Sequence, residues 1–435
     1  MSHLSISKPK AVNKKDNQSW LFLPILMGLF QSTLIAATPK FIAITGLSAV
    51  QWAVLLSMPT LLFLFMSPRW GGWADRHGAG VIIRYSALGL GLSILILSLV
   101  WWLGKTLSFA PWLWFMAIAV SRILYGVSAS GVMPTCQSLA VETSSRSEAT
   151  DDKSDGLSMK RLGLVGASLS IGRLCGPIVL IVLASQISWV LSVFCVVALP
   201  IVWAVVTFSL TFSLTTTPKK NGETKWLEES KKEESGDNDN RSTAPQVRVF
   251  FALAFCVTLL LGYLQFILGP LFLEWLKDAE QATFMMGLTM TAVATTALLC
   301  QLLIVKRLNW RSSSIMIILS LVLIASTLGF SVAQSTHLVL ALMVPIAAVI
   351  ALITPIYSRF AMALSNATKG HISGKLAVAH TSGYPLGSLL AGLSYGKLTF
   401  WWLPLSLIAG IIFILSCVVV YKSRLSAYSN LASNM

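Results

Sequence analysis

The stretch Thr60 to Leu92, TLLFLFMSPRWGGWADRHGAGVIIRYSALGLGL, decides the fold. Two apolar runs flank a short turn region that carries Arg69, Asp75, Arg76 and Arg84. The runs extend over about 48–68 and 81–103, each long enough as a helix to cross the ~30 Å hydrocarbon layer. Two such helices joined by a tight basic turn read as a membrane hairpin, with the turn on the side that retains positive charge.

The same pattern recurs along the chain. Further runs of spanning length fall at about 20–43, 110–135, 162–185 and 188–213 before a polar stretch. Others follow at about 248–273, 283–305, 312–333, 337–362, 375–396 and 400–421. The predicted fold class is therefore an all-α polytopic membrane protein of 12 transmembrane helices in two six-helix halves. The halves cover residues 1–214 and 247–435, joined by a solvated linker at 215–246 that is rich in Lys, Glu, Asp and Ser. Composition agrees: of 435 residues 55% are hydrophobic and 11% charged, less than half the roughly 25% charged content of a soluble domain. The first run follows Lys8 to Lys15 and exceeds a signal-peptide core in length, so it is read as an uncleaved first helix.

The net charge of +15 would suggest nucleic acid in a soluble protein. Its distribution says otherwise. With the N-terminus inside, 26 Lys and Arg fall on inner segments and only Lys40, Lys105, Lys277 and Lys397 on outer ones. Both termini are expected in the cytoplasm, with the chain in a bacterial inner membrane and no nucleic-acid partner. The six Cys sit in apolar runs without C-x-x-C spacing, which speaks against a disulfide framework and a metal site.

Three local motifs resemble the major facilitator superfamily. GGWADRHGAG fits its G-x-x-x-D-R-x-G loop through Gly71, Asp75, Arg76 and Gly78, although Ala79 replaces the usual basic residue. SRILYGVSASG resembles R-x-x-x-G, with Arg122 and Gly126, and GRLCGPIV resembles the exporters' G-x-x-x-G-P through Gly172, Gly176 and Pro177. Val179 and Leu180 stand where that signature often continues with glycine. The C-terminal half carries a degenerate echo, KRLNWRSS. The resemblance is to the 12-helix drug and metabolite exporters that work as proton antiporters. It implies a gating role for these residues and a contact of Asp75 with the start of the eleventh helix in the outward-open state. On physical grounds Gly71 and Gly78 allow a tight turn and close approach, and Pro177 permits a kink.

Two charges lie at membrane depth, Arg122 and Arg173, and each costs at least about 2.5–3.5 kcal/mol there. No carboxylate shares their depth; Glu142 and Glu274 sit near helix ends. Either each Arg is satisfied by carbonyls and amides, or the pair makes a positive cavity for an anionic ligand. Tyr125, Gln31, Gln265, Tyr357, His380 and Tyr384 are candidates for the same lining, and Gln301 is a further polar group in a span. Transporter sites are expected near the midplane, between the halves.

The functional expectation is secondary active export of a small amphipathic or anionic molecule, such as a carboxylate siderophore or a drug, by alternating access with protons as coupling ion. Uptake of an anionic nutrient is the alternative. A membrane-embedded enzyme finds no support: H-E-x-x-H and G-x-S-x-G are absent. No catalytic residue, cofactor or metal is expected, and the chain is expected to act as a monomer.

Overall fold

The computed structural model describes residues 19–145, 151–186, 245–304, 315–363, 369–395 and 400–433, and these are helical throughout apart from short turns. The first half contains α1 (Phe22–Ala36), α2 (Thr38–Thr45), α3 (Ala49–His77), α4 (Ala79–Thr106), α5 (Pro111–Ala129), α6 (Val132–Ser145) and α7 (Asp151–Gln186). The second contains α8 (Pro245–Leu276), α9 (Ala279–Leu299), α10 (Ile315–Gly329), α11 (Thr336–Ala363), α12 (Lys369–Ser394) and α13 (Leu403–Ser433). Among the described residues nine helices are long and apolar enough to span a membrane, or ten if the bent pair α1 and α2 is one span. The predicted sixth span, 188–213, and most of the 215–246 linker lie outside the described residues.

Two spans are broken where the backbone demands it. Pro39, just inside α2, cannot donate a ladder hydrogen bond, and α1 meets α2 at 58°. The span of α5 and α6 breaks at Ser130 and Gly131. There the Val127 carbonyl accepts from the indole of Trp70 at 2.6 Å, and the Ser130 carbonyl accepts from the Ser67 hydroxyl at 3.1 Å. Both donors belong to α3, so a neighbouring helix satisfies the groups that the break frees.

Three helices start earlier than hydropathy indicates: α7 at Asp151, α8 at Pro245 and α12 at Lys369. Apolar content marks only the part of a helix in hydrocarbon, whereas the ladder can continue into water. The segment read as linker therefore ends before Pro245.

Each half is stitched by a pair of glycine-faced helices. In the first, a Cβ on Gly172 of α7 would collide with the Ile25 carbonyl of α1, and one on Gly176 would press on Ser32 and Leu29. In the second, Gly383 and Gly387 of α12 meet the Phe255 and Leu259 carbonyls of α8 in the same way. The G-x-x-x-G spacing of α7 thus has a counterpart in α12, and that is a clearer echo than KRLNWRSS, of which residues 306–313 lie outside the described residues. The residue after the first glycine is Arg173 in one half and Tyr384 in the other.

The close approaches between halves lie toward the end that holds Lys40. Gly392 of α12 packs on Ala49, Val50 and Ala53 of α3, Gly269 of α8 on Thr38, and Gly287 of α9 on Ile181. The Ser57 hydroxyl donates to the Pro385 carbonyl at 3.1 Å, and Lys40 pairs with Glu280 at 2.9 Å. Toward the Arg76 end, Gly166, Ala167 and Arg173 of α7 and Lys375, Ala377 and Val378 of α12 are exposed. Among the described residues nothing lies within 4 Å of a Cβ built at Gly71. Gly78 does serve a turn, at φ +88°.

The Lys40–Glu280 pair is exposed on the Glu280 side, at 76%, so its worth is at most about 1 kcal/mol. Glu280→Ala should leave thermal unfolding within about 2 °C of the parent protein. The fraction of molecules open at that end, read by spin-label distances, should rise by no more than about fivefold, the population equivalent of that energy.

Candidate transport site

Helix α5 is held in a fixed rotation by its neighbours. The Ser121 hydroxyl donates to the Ser93 carbonyl of α4 at 2.9 Å, and Gly126 lies against Leu62 and Pro59 of α3. This packing turns Arg122 inward, where only 3% of it is exposed. Its guanidinium carbon sits 4.6 Å from the centroid of the Tyr125 ring one turn on. Phe30 of α1 and Phe63 of α3 stand 5.5 and 6.1 Å from that ring. A cation over an aromatic face recovers part of its desolvation cost.

What the guanidinium lacks is a hydrogen-bond acceptor. Among the described residues, Nε and Nη1 of Arg122 and the hydroxyl of Tyr125 are buried with no hydrogen-bond partner. No carbonyl or amide among the described residues accepts from these atoms. They border a small cavity lined by Gln31, Leu34, Ile35, Leu56, Pro59, Thr60, Phe63, Arg122, Tyr125 and Tyr384. Its open space is about 20 Å³, room for one water. Leu56, Pro59, Thr60 and Phe63, all from α3, were not among the residues anticipated.

The other half enters the cavity through Tyr384. Its hydroxyl donates to Gln265 Oε1 of α8 at 2.7 Å, a bond within the second half that holds the ring in place. Arg173, exposed on α7, and Arg122 both lie within electrostatic reach of Tyr125 and Tyr384. One turn from Tyr384, His380 shares a 2.5 Å hydrogen bond with the buried hydroxyl of Tyr357 on α11.

Arg122, Tyr125, Gln31 and Tyr384 thus line one cavity, Gln265 supports it, Arg173 flanks it, and His380 with Tyr357 forms an adjoining pair. Gln301 lies exposed beyond the end of α9 and is not among the residues that line the cavity. The side chain of Asp75 lies outside the described part, so its anticipated contact is not described. Among the described residues no three His, Cys, Asp or Glu gather as a metal site.

A bundle of paired helices with polar groups converging between its halves defines a membrane transporter. The chain belongs to the Major Facilitator Superfamily, whose family description matches residues 20–381. Multidrug resistance protein 2 of Bacillus subtilis (strain 168) is 30% identical over 174 residues, which is 39% of this chain and 37% of that protein. The multidrug resistance protein MdtG of Serratia proteamaculans (strain 568) is 28% identical over 186 residues, 41% of this chain and 39% of its own length. These matches span about two fifths of each relative. Among solved structures, a D-xylose–proton symporter superposes with TM-score 0.64 at 14% identity, covering 93% of this chain and 95% of that one. The human organic anion transporter MFSD10 gives 0.61 at 15%, covering 92% and 98%. At such identities the structural likeness establishes the fold.

Proposed function

We propose that the protein exports a small amphipathic or anionic molecule by alternating access, with protons as the coupling ion. The observation that carries this reading is a buried, hydrogen-bond-deficient Arg122 in a cavity that both halves build. A transporter must hold its cargo where either half can release it, and Tyr384 brings the second half to the first half's charge. Partial relatives named for multidrug resistance support the outward direction.

In this reading the Arg76 end faces the cytoplasm of a bacterial inner membrane, as the excess of basic residues there suggests. The conformation then faces inward: the halves meet at the Lys40 end, and Arg173 is exposed on the cytoplasmic side of the closure. The glycine-faced pairs α1–α7 and α8–α12 move as rigid units, and the change of access falls on the α3–α12 and α7–α9 contacts. A single chain suffices for this cycle, so the working unit is a monomer.

Protons need a carrier, and His380 is the membrane-embedded group in the described interface whose ordinary titration lies near neutral pH. A proton there adds positive charge one turn from Tyr384. It repels a cationic cargo and draws in an anionic one. This last point favours a second reading for anions, in which proton and cargo move together and the direction is uptake.

Flux direction separates the two. In proteoliposomes with the membrane potential clamped, an inward proton gradient should drive labelled cargo out if the protein is an exporter. Cargo accumulating with the protons would establish uptake instead. His380→Ala should abolish the response to the gradient while cargo exchange at equal pH continues. A normal gradient response in that variant would remove His380 from the coupling path.

A further inference from the structure

The cavity is specific about charge and shape, and we infer that its cargo is a monoanionic carboxylate carrying a flat apolar body. This rests on the reading of the Arg122 cavity as the cargo site. One cation, Arg122, is enclosed, while Arg173 is exposed. Only the enclosed charge acts through a low dielectric, so the site answers one negative charge strongly and a second one weakly. A cationic molecule meets that same charge as repulsion, and a neutral acceptor takes the hydrogen bonds without the attraction between charges.

The donors define the acceptor. Nε and Nη1 of Arg122 and the Tyr125 hydroxyl have no hydrogen-bond partner among the described residues, and no carboxylate is among the residues that line the cavity. Nε and Nη1 lie on different edges of the planar guanidinium, so the two oxygens of one carboxylate pair with one of them together with Nη2, the nitrogen common to both edges. The tyrosine hydroxyl adds a third donor one turn away. The remaining walls set the body: Leu34, Ile35, Leu56 and Pro59 are apolar. The rings of Phe63 and Tyr125 lie within 24° of parallel, and Phe30 closes on Tyr125 at a tilt. A flat ring presents its face to such a stack with good contact, whereas a hydroxylated sugar would lose its hydration there. The present space holds one water, so Phe63 and Tyr384, both partly exposed, must part as cargo enters.

Three probes of one shape test this: 2-naphthoate, 2-naphthamide and 2-naphthylmethylammonium, measured by calorimetric titration of the full chain in nanodiscs. The acid should bind about 10–100-fold more tightly than the amide, the span expected for hydrogen bonds to a charged group. The ammonium compound should bind no better than the amide. Arg122→Gln should erase the preference for the acid while leaving amide binding within about threefold, and Arg122→Lys should keep part of it. Equal binding of acid and amide, or an acid preference that survives in Arg122→Gln, would overturn the inference. Failure of the export reading looks different: naphthoate would bind with this selectivity, yet an inward proton gradient would not drive it out. Should Arg122→Gln fail to fold, the wild-type ranking of the probes and the Arg122→Lys variant still decide.

Discussion

Arg122→Ala should abolish concentrative transport without weakening the fold. A buried guanidinium with unpartnered Nε and Nη1 is a net cost to the folded protein, repaid in part by the Tyr125 ring. Removing it takes away that cost, so the melting temperature should stay level or rise. A structural arginine behaves in the opposite way, because its loss strands the acceptors it had satisfied. Transport should fall by about 100-fold or more in Vmax/KM, equivalent to losing one or two charge-assisted hydrogen bonds together with the local field. Arg173→Ala provides the comparison. That side chain is exposed, its field is screened, and its removal should cost about threefold to tenfold. Flux assays in proteoliposomes, paired with thermal unfolding of the same preparations, give both numbers. A melting temperature lowered by Arg122→Ala with transport retained would make Arg122 a packing residue.

The charges were the legible part of this molecule. Arg122 and Arg173 stand out because hydrocarbon makes every charge expensive, and one of them proved to be enclosed at the centre of the interface. Tyr125, Gln31 and Tyr384 were legible for the same reason, as polar groups in apolar runs. The apolar lining was not. Leu55 is buried and Leu61, less than two turns along α3, is exposed. In a membrane both environments are apolar, so hydropathy does not separate a residue that faces lipid from one that faces a cavity. Leu56, Pro59 and Phe63 were hidden by that degeneracy. The nine or ten spans found among the described residues were legible because a span depends on length and apolar content alone. The break at Ser130 and Gly131 was not, because the donors that permit it, Trp70 and Ser67, come from a different helix. One signal was present and passed over: Gly383 and Gly387 carry the same spacing as Gly172 and Gly176. Helix α12 is also polar for its length, with His380, Thr381, Ser382, Tyr384 and Ser388 on one segment, as befits a helix that borders the site.

Those glycines support the second large effect. Gly387→Leu should prevent the protein from reaching a folded, monodisperse state. A Cβ at position 387 would strike the Leu259 carbonyl and lie 2.9 Å from the Tyr263 nitrogen, both backbone atoms of α8. Backbone inside a continuous helix has no rotamer to change, so α12 must move away along several turns. Overpacking of that kind costs about 1–3 kcal/mol or more per site. The displacement would also break contacts that depend on the pair, including Ser388 to the Gly262 carbonyl at 3.2 Å and Tyr384 to Gln265. Since Tyr384 lines the cavity, damage to packing reaches the site directly. The same substitution at Gly172, against Ile25 and Leu29 of α1, should have an equal effect in the other half. Gly410→Ala on α13 is the control: among the described residues nothing lies within 4 Å of its Cβ, so yield should be unchanged and the unfolding temperature level or higher. Size-exclusion profiles of detergent-solubilised protein should show about tenfold less monodisperse material for Gly387→Leu and Gly172→Leu than for Gly410→Ala. Equal yields for the three would mean that the helix pairs are loose, and that the halves do not move as rigid units.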